Sequence, residues 1–453
     1  MNDKFWLLTS ISFFVTMVLL VGAYSVFRKK AKFSDPILQF LFFFSLFVLP
    51  LPIRAYGTLN IEGDITEHLP ELLPYIPEAV FLCGLSLIGF AVAYYSNFAS
   101  RIAQSVPQIR PGINWKMAFI FLASLSLFLL MLLARSSGGL VNFVLLGYTA
   151  TAEMIGKGYL AAGFPWLFVA SLFLLYGYAQ EKKKKYFFYF AGAMAINIAI
   201  QLVMARRSML LYFGLSVWLY WHHAVRPVRM RYLIVGGLFC FITLNLVGKL
   251  RGGSAEDVGG LLSNNAQAWE KSSDDSDTFF YTLTTGQFVV PFETLPQMIE
   301  SVGSSVNPEF GFTYLRAPLQ VVPQALYSSR PLPLANWYVM KFYGSGYEFN
   351  EGRQFFFLSE GYLNFGIIGV FLTMILWGYF LGAAQHYRNT SQKNPAALLI
   401  YSLIIAYIYI GISGESISWI VALPELSLAA AFIGLWITSR KQKRVLRFAE
   451  NVS

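Results

Sequence analysis

The sequence predicts an all-α polytopic membrane protein of about eleven transmembrane helices with one large loop outside the cytoplasm. Three observations carry that reading. Of 453 residues, 56% are hydrophobic and 17% aromatic, with a mean hydropathy of +0.54. Only 13% are charged, against roughly 25% in a soluble domain, so lipid rather than water must solvate most of this surface. Lys and Arg also gather in short connections between alternate pairs of apolar stretches, which sets an orientation.

A span needs about 20 apolar residues. Such stretches run at 5–27, 36–53, 79–98, 117–134, 164–180, 186–204, 208–224, 232–249, 366–385, 396–413 and 420–438. The first is expected to be a retained helix rather than a cleaved signal, because it is long and a basic run follows it instead of preceding it. With the N-terminus outside, the inside segments are 28–35, 99–116, 181–185, 225–231, 386–395 and 439–453. They hold 21 of the 34 Lys and Arg residues, and only Asp35, Glu181 and Glu450 of the 24 acidic ones. The N-terminus is therefore expected outside and the C-terminus in the cytoplasm. The formal charge of +10 reads as topology anchoring, and no nucleic-acid partner is expected. Cys83 and Cys240 both lie in apolar segments, which argues against a disulfide framework.

The chain divides into spans one to eight (1–249), a large periplasmic loop (250–365), spans nine to eleven (366–438) and a basic cytoplasmic tail (439–453). The long loop opens rich in Gly and Ser. It passes an acidic run at Asp274, Asp275 and Asp277, expected to be solvated, and then becomes aromatic. That second half is too apolar for a disordered linker and is expected to form short amphipathic helices over the outer face. Three prolines in Pro323 to Pro333 interrupt any continuous helix there.

The chemistry gathers at the outer ends of the spans. Arg206 and Arg207 sit in a tight hairpin between spans six and seven. They read either as interfacial anchors or as an anion clamp, since a guanidinium matches phosphate bidentately and stays charged near lipid. Lys249 and Arg251 repeat the pattern at the outer end of span eight, with the same two readings. Arg316, Arg330 and Arg353 in the loop are either solvated surface residues or further contacts to an anionic headgroup. Glu360 leads into span nine. A carboxylate in so apolar a stretch calls either for a salt-bridge partner among the arginines or for a role as general base. Glu415 and Glu425 flank the last outer turn and are weaker candidates of the same kind. Tyr314 and Tyr362 are candidates to stack on sugar faces or to join an interfacial aromatic belt, and Asn364 is a candidate glycan contact. His222, His223 and His386 map to the inside face, leaving only His68 outside, so no metal site is expected. No cofactor is expected either: the sequence has no Walker loop, GxSxG, Cys-x-x-Cys or His-Glu-x-x-His.

The order of these features resembles a known family. The segments that carry the resemblance are Ala205-Arg-Arg-Ser208, Lys249-Leu-Arg251, Glu309-Phe-Gly-Phe-Thr-Tyr-Leu315, Val321-Val-Pro-Gln-Ala-Leu-Tyr-Ser-Ser-Arg-Pro331 and Glu360-Gly-Tyr-Leu-Asn-Phe-Gly-Ile-Ile-Gly369. Together they look like the Wzy-type O-antigen and oligosaccharide repeat-unit polymerases, over residues 186 to 385. The resemblance implies a bacterial inner-membrane glycosyltransferase with its active site facing the periplasm. Its substrates would be undecaprenyl-diphosphate-linked oligosaccharides, its surroundings membrane lipids, and its implied partner a polysaccharide chain-length regulator. The growing glycan would move from its lipid diphosphate onto the next lipid-linked unit. The family's arginines carry over to Arg207, beside Arg206, and to Arg251. Its loop basic residue before proline carries over to Arg330, and its acidic residue to Glu360.

Two features depart from the pattern. The long loop lacks the histidine that related O-antigen ligases use as a candidate base, which moves that role to Glu360. The turn Ser413-Gly-Glu-Ser-Ile-Ser418 lacks the arginine expected in many relatives. The alternatives are an O-antigen ligase, argued against by the missing histidine, and a transporter of lipid-linked oligosaccharides. The transporter is argued against by spans nearly free of charge and by the absence of repeat symmetry.

Overall fold

The structure is a computed structural model and describes residues 2–57, 69–107, 109, 114–139, 142–143, 158–204, 206–233, 235–237, 289–322, 326–327, 329–344, 354–392, 394–422 and 427–436. Among these residues every regular element is helical. The N-terminal part comprises α1 (Asn2–Ala23), α2 (Pro36–Val48), α3 (Pro50–Gly57), α4 (Ile76–Tyr94), α5 (Asn97–Ser105), α6 (Trp115–Ser136), α7 (Gly163–Glu181), α8 (Lys184–Val203) and α9 (Arg207–Tyr220). Three shorter helices follow: α10 (Val290–Ser301), α11 (Phe312–Arg316) and α12 (Leu334–Phe342). The C-terminal part holds α13 (Phe357–Thr390), α14 (Pro395–Ala406) and α15 (Ile408–Ser413).

Local chemistry accounts for several boundaries. The Asn114 side chain accepts from Met117 N (3.4 Å) to start α6, and Asn394 accepts from Ala396 N and Ala397 N to start α14. Both are side-chain caps on otherwise orphaned amides. Pro36 at the first turn of α2 gives up an amide that would have no helical partner anyway.

Among the described residues, seven stretches are long and apolar enough to cross a membrane: Lys4–Arg28, Pro36–Tyr56, Ile76–Tyr94, Trp115–Ser136, Tyr159–Glu181, Phe357–Thr390 and Pro395–Ser413. They fall at expected spans one to five, nine and ten. Helices α8 and α9 occupy the positions of spans six and seven. Most of span eight, part of span eleven and the stretch from Lys249 to Asp277 lie outside the described residues. The flanks of the spanning helices present Leu19, Leu20, Val92, Ile120, Met131 and Leu376, each more than half exposed. A contiguous apolar surface of this kind is solvated by lipid.

Contacts between helix ends show how the spans run relative to one another. At one end Arg388 Nη1 meets Asp35 Oδ1 at 2.6 Å, Trp115 Nε1 donates to Glu181 Oε1 at 3.2 Å, and the Asn394 side chain donates to Ile109 O. At the other end Ser416 N donates to Glu360 at 2.6 Å, Leu334 N donates to Glu415 at 2.7 Å, and Arg206 lies 5.3 Å from the Phe164 ring centre. These pairs join ends that strictly alternating crossings place on one side. The first end carries the Lys- and Arg-rich connections and is called the basic face; the second carries α10 to α12 and is called the loop face.

The core that positions the loop face is an aromatic stack. Phe40 of α2 stacks on Phe90 of α4 with ring centres 4.2 Å apart, and Trp377 and Phe357 of α13 close on it at 5.6 and 6.4 Å. Helices α4 and α13 run side by side in the same direction. Gly89 faces Phe371 and Ile375, Gly378 faces Ala93, and Gly382 faces Ala99, so the register climbs together along both chains. Small residues let membrane helices approach closely where the hydrophobic effect offers no drive.

Span nine is preceded by two further helical turns that hydropathy alone leaves in the loop. Helix α13 is bent at Phe365 (φ −139°, ψ 21°) and Gly366 (φ 58°, ψ −142°). The first two turns, Phe357 to Asn364, fold back against the long rod that follows. The positive φ at Gly366 is one that glycine adopts without strain. The crossing is made between two glycines: a Cβ on Gly361 would lie 2.7 Å from Gly369 O.

A Cβ at Gly378 would stand 2.8 Å from the Ala93 Cβ. Gly378→Leu is therefore expected to cost about 1–3 kcal/mol by overpacking, read as a lower thermal midpoint of the detergent-solubilised protein. An unchanged midpoint would show that α4 and α13 do not touch there.

Candidate functional site

The two turns from Phe357 to Asn364 form the hub of the loop face, and their polar side chains reach out in three directions. Ser359 Oγ lies 2.7 Å from Thr294 Oγ1 on α10, and the same threonine oxygen accepts from Phe356 N at 3.1 Å. Asn364 Oδ1 accepts from Gly311 N at 2.7 Å, while its Nδ2 donates to Thr313 Oγ1 at 2.6 Å and to Glu360 O at 2.8 Å. The backbone joins in: Glu309 N and Phe310 N donate to Leu363 O and Asn364 O. The Glu309–Leu315 and Glu360–Gly369 segments, both singled out in the sequence, thus dock directly on one another.

Glu360 sits at the centre of this knot, 2% exposed. Its Oε1 accepts from Thr313 Oγ1 at 2.8 Å and from Ser416 Oγ at 2.7 Å, and its Oε2 accepts from Ser416 N at 2.6 Å. The sequence left open an arginine partner or a catalytic base. The partners found are two hydroxyls and a backbone amide, and the nearby Arg316 spends its guanidinium on Glu309 at 3.3 Å. A buried carboxylate needs donors on both oxygens, and here two segments far apart in the chain supply the three donors.

Ser416 reaches Glu360 because Trp419 wedges its turn in place. The Trp419 ring lies edge-on to Trp377 at 4.3 Å and close to Phe380 and Tyr407 at 5.2 and 5.5 Å. The same turn carries Glu415, 5% exposed, whose two oxygens accept from Leu334 N (2.7 Å) and Ala335 N (3.2 Å). Glu415 thereby caps α12, where the helix dipole favours a negative group. Burial first, and then the Glu360 carboxylate beside it, push the Glu415 carboxyl up to about 8, against the pull of the Ala335 and Leu334 amides and Arg316. Two buried carboxylates therefore share one junction of loop and membrane helices. Sequence reasoning ranked Glu415 below Glu360 and passed over Thr313 and Ser416. Glu415 carried the signal of a charge in an apolar segment, whereas a threonine and a serine carry too little contrast to be picked out.

The remaining sequence candidates divide. Tyr314 adjoins the knot, its hydroxyl 3.3 Å from Thr373 Oγ1 and its acidity suppressed by burial and by Glu360. Tyr362 is half-buried against the packing around α10 and α12. Arg330 donates to Gln320 O (3.1 Å) and Val322 O (3.2 Å), closing its own proline-rich turn. Arg206 stands just before α9 and packs on Phe164 in a separate apolar cluster with Leu133, Phe143 and Met204. Arg207 begins α9, and its side chain lies outside the described residues, as do Lys249, Arg251, Arg353 and Glu425.

The fold and this site together define the class: a polytopic helical membrane protein with a polar, carboxylate-centred junction at one face. Comparison with protein-family models, with curated proteins and with solved structures found no match.

The raised Glu415 value has a sign. A carboxyl whose folded value stands above its ordinary 4.5 stabilises the fold below that value, and the contribution is lost as pH rises through about 8. The thermal midpoint in detergent is expected to fall between pH 5 and pH 9. Glu415→Gln, which keeps an acceptor for the α12 amides, is expected to flatten that slope. Equal slopes in the two proteins would mean that Glu415 titrates normally.

Proposed function

We propose that this chain polymerises undecaprenyl-diphosphate-linked oligosaccharide repeat units into a bacterial surface polysaccharide, working on the outer face of the inner membrane. The observation that supports the reading is the docking of the Glu309–Leu315 segment onto the Glu360–Asn364 segment. Two of the stretches that carry the family resemblance form one buried polar junction, at the same end of the bundle as Arg206 and Arg207.

The donor in such a reaction already holds a good leaving group. An acceptor sugar hydroxyl attacks the anomeric carbon of the growing glycan, the bond to the pyrophosphate oxygen breaks, and lipid diphosphate departs. What remains for the protein is positioning, charge stabilisation and a proton acceptor. Arg207 and Arg251 supply the charge at headgroup level. Glu360 takes the hydroxyl proton. Its oxygens already hold three donors, so the acceptor hydroxyl enters by displacing the Thr313 or Ser416 hydroxyl. Burial and the neighbouring Glu360 push the Glu415 carboxyl up, which lessens the negative charge it adds to the junction.

Arg207→Ala and Arg251→Ala are expected to abolish polymer while leaving folded protein in the membrane, read as the loss of the chain-length ladder from one lipid-linked substrate. Normal ladders from both variants would remove the clamp. Glu360→Gln is expected to lose polymer as well. Its thermal midpoint is read in parallel, since the amide has a single acceptor oxygen where the carboxylate uses one for the Thr313 and Ser416 hydroxyls and the other for Ser416 N. Polymer retained by a folded Glu360→Gln protein would leave Glu360 as a structural tie only. A single glycan transferred to a lipid core without a ladder would indicate a ligase instead.

A further inference from the structure

A cavity of about 580 Å3 opens between α2, α9 and the segment from Val228 to Gly237, at the end opposite the candidate site. Its size falls within the roughly 300–1,000 Å3 typical of ligand pockets. The lining is apolar, with Phe42, Phe43, Leu46 and Leu215 among it. Exposed Phe42, Gly214, Tyr232, Gly236 and Gly237 form its rim on the flank of the bundle, so its mouth faces lipid.

Two side chains in the lining are out of keeping with the rest. Gln39 is 1% exposed, and both its Nε2 and Oε1 lack a hydrogen-bond partner among the described residues. Trp218 Nε1, also buried, lacks one as well. An unpaired amide and indole N–H in an apolar site are costly, and here both residues line a single cavity. Gln39 lies one turn into α2 and Trp218 near the end of α9, which puts both close to the basic face. Just beyond them in the chain stand exposed Lys32, Arg226, Arg229 and Arg231. The Arg231 guanidinium lies 4.9 Å from the centre of the Tyr232 ring, which itself lines the cavity. The sequence runs apolar groove, hydrogen-bond donors, cations, and a glycerophospholipid presents the matching order of acyl chain, ester carbonyl and phosphate.

We propose that this cavity binds an anionic glycerophospholipid from the leaflet at the basic face. One acyl chain lies between α2 and α9, an ester carbonyl accepts from Trp218 Nε1 or Gln39 Nε2, and the headgroup lies against the Arg226–Arg231 cations. The inference does not depend on the polymerase reading.

The glycines of the rim provide a test that spares the fold. A Cβ at Gly214, Gly236 or Gly237 would meet nothing within 4 Å, so Gly214→Leu fills the cavity without displacing a neighbour. The full-length protein is stripped of lipid in detergent and titrated with phosphatidylglycerol, with phosphatidylcholine of the same chains, and with diether phosphatidylglycerol, which has no ester carbonyl. Retention is read by native mass spectrometry and by thermal shift. Diester phosphatidylglycerol is expected to bind tightest, with the diether form roughly fivefold weaker, the size of one net hydrogen bond. Gly214→Leu is expected to lose retention while the stripped protein melts as before. Gln39→Leu with Trp218→Phe is expected to erase the diester preference, and Arg229→Ala with Arg231→Ala the preference over phosphatidylcholine. Equal binding of the two headgroups would overturn the proposal. So would equal binding of diester and diether lipid, which would point to an isoprenoid occupant, and so would full retention by Gly214→Leu.

Discussion

The Glu360 carboxylate is the constraint around which the loop face is built. It lies where water does not reach, so every acceptor site on it must be met by protein. The donors come from residues 313 and 416, about fifty positions away on either side of it in the chain. Satisfying one group therefore fixes three segments: α11, the turn after α15, and the hub of α13. Neighbours follow the same logic. Ser359 holds α10 through Thr294, Asn364 holds the chain before α11 through Gly311, and Glu415 holds α12 by its first amides. The elements between Val290 and Phe342 rest on the membrane helices by hydrogen bonds to a few buried polar groups, as well as by apolar packing.

Beneath that polar layer, cohesion comes from rings and glycines. Lipid offers no hydrophobic drive for one spanning helix to prefer another, so shape must supply it. The Phe40–Phe90–Trp377–Phe357 stack and the backbone approach along Gly89, Gly378 and Gly382 are two ways of gaining dispersion contact in such a medium. The Arg388–Asp35 pair closes the opposite end, both side chains about one-tenth exposed. The two ends thus differ in kind: an ion pair beside the basic connections, and a carboxylate met by neutral donors under the loop.

Hydropathy made the membrane class and the positions of spans one to five, nine and ten legible, because twenty apolar residues in a row have few other uses. The charge asymmetry also implied which ends meet, and the Asp35–Arg388 and Glu415–Leu334 contacts agree with that parity. The hub before span nine was not legible as a helix of its own: hydropathy starts the span at 366 and leaves Phe357 to Asn364 in the loop, and only the Asn-Phe-Gly sequence marks the bend. Glu360 stood out as a charge in apolar surroundings, but its partners did not, since a threonine and a serine carry no such contrast. Gln39 was overlooked for the same reason, being one polar residue in a phenylalanine-rich helix whose significance appears only when no neighbour among the described residues answers it. The arginine corners remain as the sequence drew them, with Arg206 seen against Phe164 and Arg207, Lys249 and Arg251 beyond the described side chains.

The bend at Phe365 and Gly366 has a mechanical corollary. Where Gly361 crosses Gly369, backbone rests on backbone with no side chain between to compress or rotate away. Such a joint behaves as a doorstop: the hub cannot be driven further in toward the rod. The depth of the Glu360 carboxylate is thereby set from below by main-chain atoms, whatever pulls on the loop above it.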